Sequence, residues 1–99
     1  EVPEDIVTMS RQAGMMVRRA IGAYAEKDPV TARAVMAQDD VVDALFVQVK
    51  QELTERIAAR EDHSDRAVDL IIIAKYLERV ADHAVNIAQW AIFCVTGQL

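Results

Sequence analysis

Four acidic side chains stand in two pairs with the same spacing: Asp39 with Asp43, and Glu78 with Asp82. Residues four apart lie on one face of a helix, one turn from each other. If the two pairs lie on adjacent helices, four carboxylates come together, and such oxygen ligands suit hard divalent or trivalent cations. Asn86, one turn further along, extends the second pair. The helical projection places Asp39 and Glu78 at the border of the apolar stripes of their helices. It turns Asp43, Asp82 and Asn86 towards the outer surface, so the predicted site is a surface groove between helices.

A solvated acidic surface with local ion pairs is the alternative interpretation of the same residues. Lys75 stands three residues before Glu78, and Arg79 stands three before Asp82, so salt bridges within one helix are available. Like charges four apart on a helix cost only a few tenths of a kcal/mol, which is tolerable without a metal. The spacing by itself leaves both interpretations open.

Other kinds of catalytic or binding site lack the residues they need. Ferritin-like di-iron proteins use Glu-x-x-His, whereas His83 follows Glu78 by five residues and His63 stands in a predicted loop. A metal-dependent enzyme is therefore disfavoured. The isolated glycines form no phosphate-binding loop. A nucleophilic thiol at Cys94 would need a nearby base, and its position on an apolar stripe favours packing. We therefore predict no catalytic residue.

Three long helices are predicted to position these side chains. Asp28 followed by Pro29 is typical of a helix start, the polar run 61–65 separates two helical segments, and Gly97 is a C-terminal stop. We expect helices at about 4–26, 29–60 and 65–96. Short connections make neighbouring helices antiparallel. Residues 1–99 are therefore predicted to form one all-α domain, an antiparallel three-helix bundle.

Apolar residues recur at steps of three and four along each predicted helix, as expected for three helices that share one core. The predicted core residues are Ile6, Met9, Ala13, Met16, Ala20 and Tyr24, then Val35, Val42, Phe46, Val49, Leu53 and Ile57, then Leu70, Ala74, Leu77, Ala81, Ala84, Ala88, Ala91 and Val95.

The third helix carries a second stripe, on a face separate from the core stripe at about 100° per residue. This second stripe consists of Ile72, Tyr76, His83, Ile87, Trp90 and Cys94. A helix with two apolar faces usually packs between two partners. Either the first two helices straddle the third and cover both stripes, or another chain or domain covers the second. We expect the latter, as self-association or an interface with a second bundle.

Composition excludes several functional classes. The chain has 99 residues, 53% of them hydrophobic and 27% charged, which suits a single folded domain. A net charge of -5 and the lack of a basic run argue against nucleic acid as a partner. A single cysteine excludes a disulfide framework. The start of the chain is unlike a signal peptide, and no apolar run approaches the roughly 20 residues of a membrane span. We therefore expect a cytoplasmic protein without membrane insertion.

The order of these residues resembles a known family. The segment from Tyr76 to Ala88, YLERVADHAVNIA, followed by residues 95–97, resembles the last helix of a PhoU repeat. The opening residues 2–6 with Met9, and the acidic stretch 39–43, are similar to the same repeat. The similarity spans nearly the whole chain in order, and the opening looks most like the second repeat of a full-length regulator.

This resemblance implies a three-helix bundle with a metal site. PhoU proteins usually carry two such bundles in one chain, and their E(D)xxxD motifs bind clusters of iron in some members and of manganese, magnesium or zinc in others. The motif falls here on Asp39 with Asp43 and on Glu78 with Asp82, and Asn86 extends the second line. Only one repeat is present, so the chain is interpreted as part of a longer regulator or as a single-repeat member.

The resemblance also implies a function without catalysis. The family regulates phosphate homeostasis by protein contact: it restrains the Pst phosphate transporter and signals through the PhoR histidine kinase, and thereby affects transcription. We therefore expect a non-enzymatic regulator whose partners are the Pst transporter ATPase and a PhoR-type kinase. A structural helical adaptor or dimerisation module without metal is the alternative.

Overall fold

The computed structural model of the chain describes residues 2–59 and 64–97, which form three α-helices and no strand. The helices are α1 at Glu4–Glu26, α2 at Pro29–Ala58 and α3 at Ser64–Thr96. Each helix packs against the other two, so the predicted all-α three-helix bundle is confirmed. The predicted polar break at 61–63 lies outside the described residues.

The helices lie side by side along an elongated molecule. Its extents are 52 × 19 × 15 Å, and the longest dimension is about that of α3 alone at roughly 1.5 Å per residue. Only Lys27 and Asp28 separate α1 from α2. Because two residues cannot carry the chain back to its starting end, α1 and α2 run antiparallel.

The junction between α1 and α2 follows from local chemistry. Lys27 adopts the left-handed conformation, with φ 54° and ψ 48°, and the next amide, of Asp28, donates to the carbonyl of Ala23 at 2.9 Å. Asp28 then caps α2, because its Oδ1 accepts from the amides of Val30 and Thr31, each at 3.1 Å. Hydrogen bonds from the side chain and the backbone of Thr31 hold the pKa of Asp28 below its usual value.

The core combines small residues on α3 with larger ones on α1 and α2. The largest fully buried side chains are Met9, Met16, Val35, Val42, Val49 and Leu53. The buried residues of α3 are alanines apart from Leu70, namely Ala67, Ala74, Ala81, Ala84, Ala88 and Ala91. Small side chains let the other two helices approach α3 closely. No polar or charged side chain is buried within the described ranges.

Two of the predicted core residues are not in the core. Tyr24 is 52% exposed and Val95 is 43% exposed, so the prediction was wrong at both positions. In α1 the buried residue is Ala23, which continues the alternation of three- and four-residue steps that runs from Ile6 to Ala20. Phe46 and Ile57, also predicted for the core, are partly buried and pack against it.

The second stripe of α3 remains largely uncovered by α1 and α2. Ile72, Tyr76 and Trp90 are exposed, at 49%, 60% and 53% respectively. His83 and Cys94 are exposed as well, whereas Ile87 is half-buried and packs against the core. The first two helices therefore do not straddle α3 so as to cover both stripes.

No helix within the described residues combines the length and the hydropathy of a membrane-spanning segment.

Candidate metal centre

The acidic residues emerge at the edge of the contact between α2 and α3. Val42 and Ala81 are fully buried in the core, and each is followed directly by an aspartate, Asp43 and Asp82. A residue next to a buried position on a helix points about 100° away from it. These two carboxylates therefore project beside the helix contact and not into it. Asp39, one turn before Asp43, lies on the same side of α2.

Three carboxylates come together at this edge. Asp39, Asp43 and Asp82 each offer a carboxylate oxygen, and these three atoms lie within 4.8 Å of one another. Asp39 and Asp43 are half-buried, and Asp82 is exposed. We call these three residues the aspartate triad. Its oxygens are close enough to share one cation, although exposed acidic groups also occur without one.

One oxygen of the triad lacks a partner. The Oδ1 atom of Asp39 is buried and accepts no hydrogen bond from the described residues. A buried acceptor left without a partner costs about 1–3 kcal/mol. Burial raises the pKa of Asp39 to about 6, and repulsion from the neighbouring carboxylates, first of all Asp43 and Asp82, adds to the effect. A cation bound by the triad would offset the repulsion among these carboxylates, so the residues present fit a metal ion.

Asp43 shows the same unfavourable environment. Burial again raises its pKa. Repulsion from the carboxylate of Glu78 is the next cause, and repulsion from Asp82 and Asp40 adds to it. Asp39 and Asp43 thus both keep a proton to higher pH than an ordinary aspartate does. The arrangement collects more negative charge than its surroundings balance.

Glu78 lies beside the triad with its charge already engaged. Its Oε1 accepts a hydrogen bond from Nζ of Lys75 at 2.8 Å, and its side chain is only 16% exposed. The Lys75 ammonium also lies 5.2 Å from the centroid of the Phe46 ring on α2. The salt bridge between Lys75 and Glu78 was available from the spacing, whereas the contact with Phe46 has no sequence signal.

Asn86 occupies a different environment. It is exposed and lines a largely apolar surface depression together with Ile21 and Tyr24 of α1 and Ile87 and Trp90 of α3. We call this depression the α1–α3 depression. A role for Asn86 as a metal ligand stays a prediction.

The contribution of α1 to this depression was not predicted from the sequence. Ile21 and Tyr24 stand three residues apart, a spacing that puts them on one side of α1, and both are exposed. Tyr24 was expected in the core, which concealed the signal. On the α3 side, the rings of Trp90 and Phe93 stack with centroids 5.1 Å apart. The exposed apolar surface therefore spans two helices.

Comparison with known proteins gives one consistent family. The sequence model of the PhoU domain family matches residues 6–91. The phosphate-specific transport system accessory protein PhoU homolog 1 of Methanothermobacter thermautotrophicus is 37% identical over 93 residues, covering 94% of this chain and 42% of the relative. The PhoU homolog of Zymomonas mobilis, with the same accessory protein name, is 36% identical over 90 residues, or 91% of this chain and 38% of the relative.

A third relative shows the same partial coverage. The PhoU homolog of Clostridium acetobutylicum is 26% identical over 98 residues, which is 99% of this chain and 45% of the relative. The chain thus spans less than half the length of these curated relatives. No solved structure gives a significant match.

Proposed function

The chain belongs to the PhoU family, and from this membership we propose that it is a non-enzymatic regulatory domain for phosphate transport and phosphate signalling. The relatives are named as accessory proteins of the phosphate-specific transport system, which supports a transporter-associated role. The proposed partners are the Pst transporter ATPase and a PhoR-type histidine kinase, met in the cytoplasm through protein contacts.

We propose that the aspartate triad holds a metal ion. The observation that carries this proposal is the buried Oδ1 of Asp39, which has no hydrogen-bond partner among the described residues and lies in a group of three carboxylates. Glu78 and Asn86 are proposed as further ligands. Oxygen ligands favour hard cations, and iron, manganese, magnesium and zinc are the candidates. The ion would supply positive charge that offsets the repulsion among these carboxylates and would join α2 to α3.

The exposed second stripe is proposed as the surface for a second bundle or a second copy of the chain. Its proposed residues are Ile72, Tyr76, His83, Ile87, Trp90 and Cys94. Large exposed apolar side chains that cluster on one side commonly mark a protein interface. The relatives are more than twice as long as the matched segment, which leaves room in them for another bundle of this size.

A metal-binding experiment tests the proposed site. The protein is purified without added metal, its metal content is measured, and Mn²⁺ is then titrated by calorimetry. We expect Asp39→Asn to weaken Mn²⁺ binding at least about tenfold, because carboxylate charge governs affinity in oxygen-ligand sites. Asp69→Asn removes the same charge from an exposed position of α3 outside the triad and is the matched control. If iron, manganese and zinc all fail to bind the wild-type protein, the metal site is wrong.

The second candidate function is a helical adaptor without metal. The ion pair between Lys75 and Glu78 favours it, since local pairing already balances one acid near the triad. This candidate predicts no heat of Mn²⁺ binding but an intact apolar interface. The calorimetric titration and a measurement of self-association therefore separate the two functions.

A further inference from the structure

Lys75 is held in place at the border of the candidate metal centre. Its ammonium pairs with Oε1 of Glu78 at 2.8 Å and faces the Phe46 ring with 5.2 Å to the centroid. The first contact lies within α3, and the second crosses to α2. An ammonium near an aromatic ring is attracted by the negative face of the ring. Two independent contacts thus direct one positive charge towards the acidic residues.

The carboxylate of Glu78 interacts both with Lys75 and with the aspartate triad. One of its oxygens accepts from Lys75, while repulsion from its carboxylate helps to raise the pKa of Asp43. Glu78 lies outside the three residues whose oxygens converge within 4.8 Å. A carboxylate oxygen that accepts from an ammonium has given up part of the negative charge that a metal would use. The Lys75 ammonium and a metal ion would therefore compete for the carboxylate of Glu78.

We propose that Lys75 is an internal counter-ion that competes with the metal ion for Glu78. Glu78 becomes a ligand beside the aspartate triad only when its ion pair with Lys75 opens, so Lys75 lowers the affinity of the site. The inference rests on the proposed metal site and concerns how that site is regulated. In this scheme Phe46 keeps the ammonium near Glu78 and thereby favours return to the metal-free arrangement.

Calorimetric titration with MnCl₂ tests this competition. We expect Lys75→Met to bind Mn²⁺ about two- to fivefold more tightly than the wild type, the factor that corresponds to opening an exposed ion pair of ~0.4–1 kcal/mol. In the Glu78→Gln background the same substitution is expected to change the affinity by less than about 1.5-fold, since the competitor has lost its partner. Lys50→Met removes an equal charge from an exposed position on α2 and controls for net charge.

The outcomes separate this inference from the proposed site. If the wild type binds Mn²⁺ but Lys75→Met binds no more tightly, the competition is wrong and the metal site stands. If Lys50→Met has the same effect as Lys75→Met, or if the effect persists without Glu78, Lys75 acts only through general charge and the competition is again wrong. If neither the wild type nor Lys75→Met binds manganese, iron or zinc, both proposals are wrong.

A second measurement does not depend on fitting the titration. A double-mutant cycle on Lys75 and Glu78, followed by urea unfolding, gives the coupling between the two side chains. We expect a coupling of about two- to fivefold in the unfolding equilibrium constant with chelator present and its loss at saturating Mn²⁺. A coupling that survives saturation would show that Glu78 keeps Lys75 while the metal is bound, which overturns the inference.

Discussion

Neutralising Asp39 is expected to stabilise the metal-free protein near neutral pH, because the carboxylate that it removes is held in an unfavourable place. Burial raises the pKa of Asp39 to about 6, and four neighbouring carboxylates add repulsion. Its Oδ1 has no hydrogen-bond partner among the described residues. Asparagine has nearly the same shape without the charge. The substitution Asp39→Asn therefore removes the repulsion and keeps the packing at the edge of α2.

The direction of the pH dependence follows from the raised pKa. The ordinary value of 3.8 applies to the unfolded chain, while the folded chain holds its proton up to about pH 6. Between these values the folded state binds more protons than the unfolded state, so the stability contributed by Asp39 is greatest at low pH and falls as the pH rises through about 6. The full interval corresponds to roughly 3 kcal/mol. Because Asp39 is only half-buried, solvent screening reduces the expected change to about 1 kcal/mol.

Urea unfolding at several pH values, with chelator present, measures this effect. We expect Asp39→Asn to exceed the wild type by about 1 kcal/mol in unfolding free energy at about pH 7.5, and the difference to shrink towards about pH 4. A weaker slope of the same sign remains in the variant, because the pKa of Asp43 is raised as well. Asp69→Asn, at an exposed position of α3, removes the same charge away from the triad and serves as the control.

Two results would refute this reasoning. One is an Asp39→Asn protein that is no more stable than the wild type at about pH 7.5 without metal. The other is an Asp69→Asn protein whose pH dependence changes as much. Mn²⁺ provides a further comparison, because a ligand present at 100 times its dissociation constant stabilises the folded state by about 2.7 kcal/mol. The wild type should gain this stabilisation, whereas Asp39→Asn should gain much less of it.

The remaining predictions concern the apolar surface, the core and the first junction. Trp90→Glu is expected to weaken self-association, measured by sedimentation, because it places a charge on the exposed second stripe. Val30→Glu, at an exposed site on α2, is the control and should leave self-association unchanged. A wild type that is monomeric at high micromolar concentration would contradict the interface. Leu53→Ala is expected to lower the free energy of unfolding in urea by about 2–5 kcal/mol, because Leu53 is fully buried. A loss below about 1 kcal/mol would show that neighbouring side chains fill the space left by the leucine. Lys27→Gly is expected to raise stability by about 0.5–1 kcal/mol, because Lys27 is left-handed with φ 54°, and a decrease would mean that its side chain stabilises the turn.

The helices were predictable because their signals are local. Asp28 caps α2 through its own neighbours, and the apolar steps of three and four hold along each helix. The error at Tyr24 has a physical origin: after Ala20 the next core position can lie three or four residues on, and side-chain size favoured the tyrosine. The bundle instead buries the small Ala23. Periodicity specifies a face, but the packing of neighbouring helices selects between adjacent residues on its edge.

The candidate site was predictable only within each helix. The spacing puts Asp39 and Asp43 on one side of α2, and Glu78 and Asp82 on one side of α3. It does not determine which turn of α2 meets which turn of α3, because that register depends on the packing of the whole bundle. The structure brings Asp82 to the pair on α2 and leaves Glu78 with Lys75. The spacing gives no reason to distinguish Glu78 from Asp82, whereas the packing places only Asp82 within the triad.

Helix α3 carries residues of both the candidate metal centre and the proposed interface. Asp82 belongs to the aspartate triad, and the next residue, His83, lies on the exposed second stripe, so two faces of one helix serve the two proposed roles. A cation shared between Asp82 and the acids of α2 would stabilise only the arrangement in which both helices are packed. Repulsion among the same carboxylates opposes that arrangement when the cation is absent.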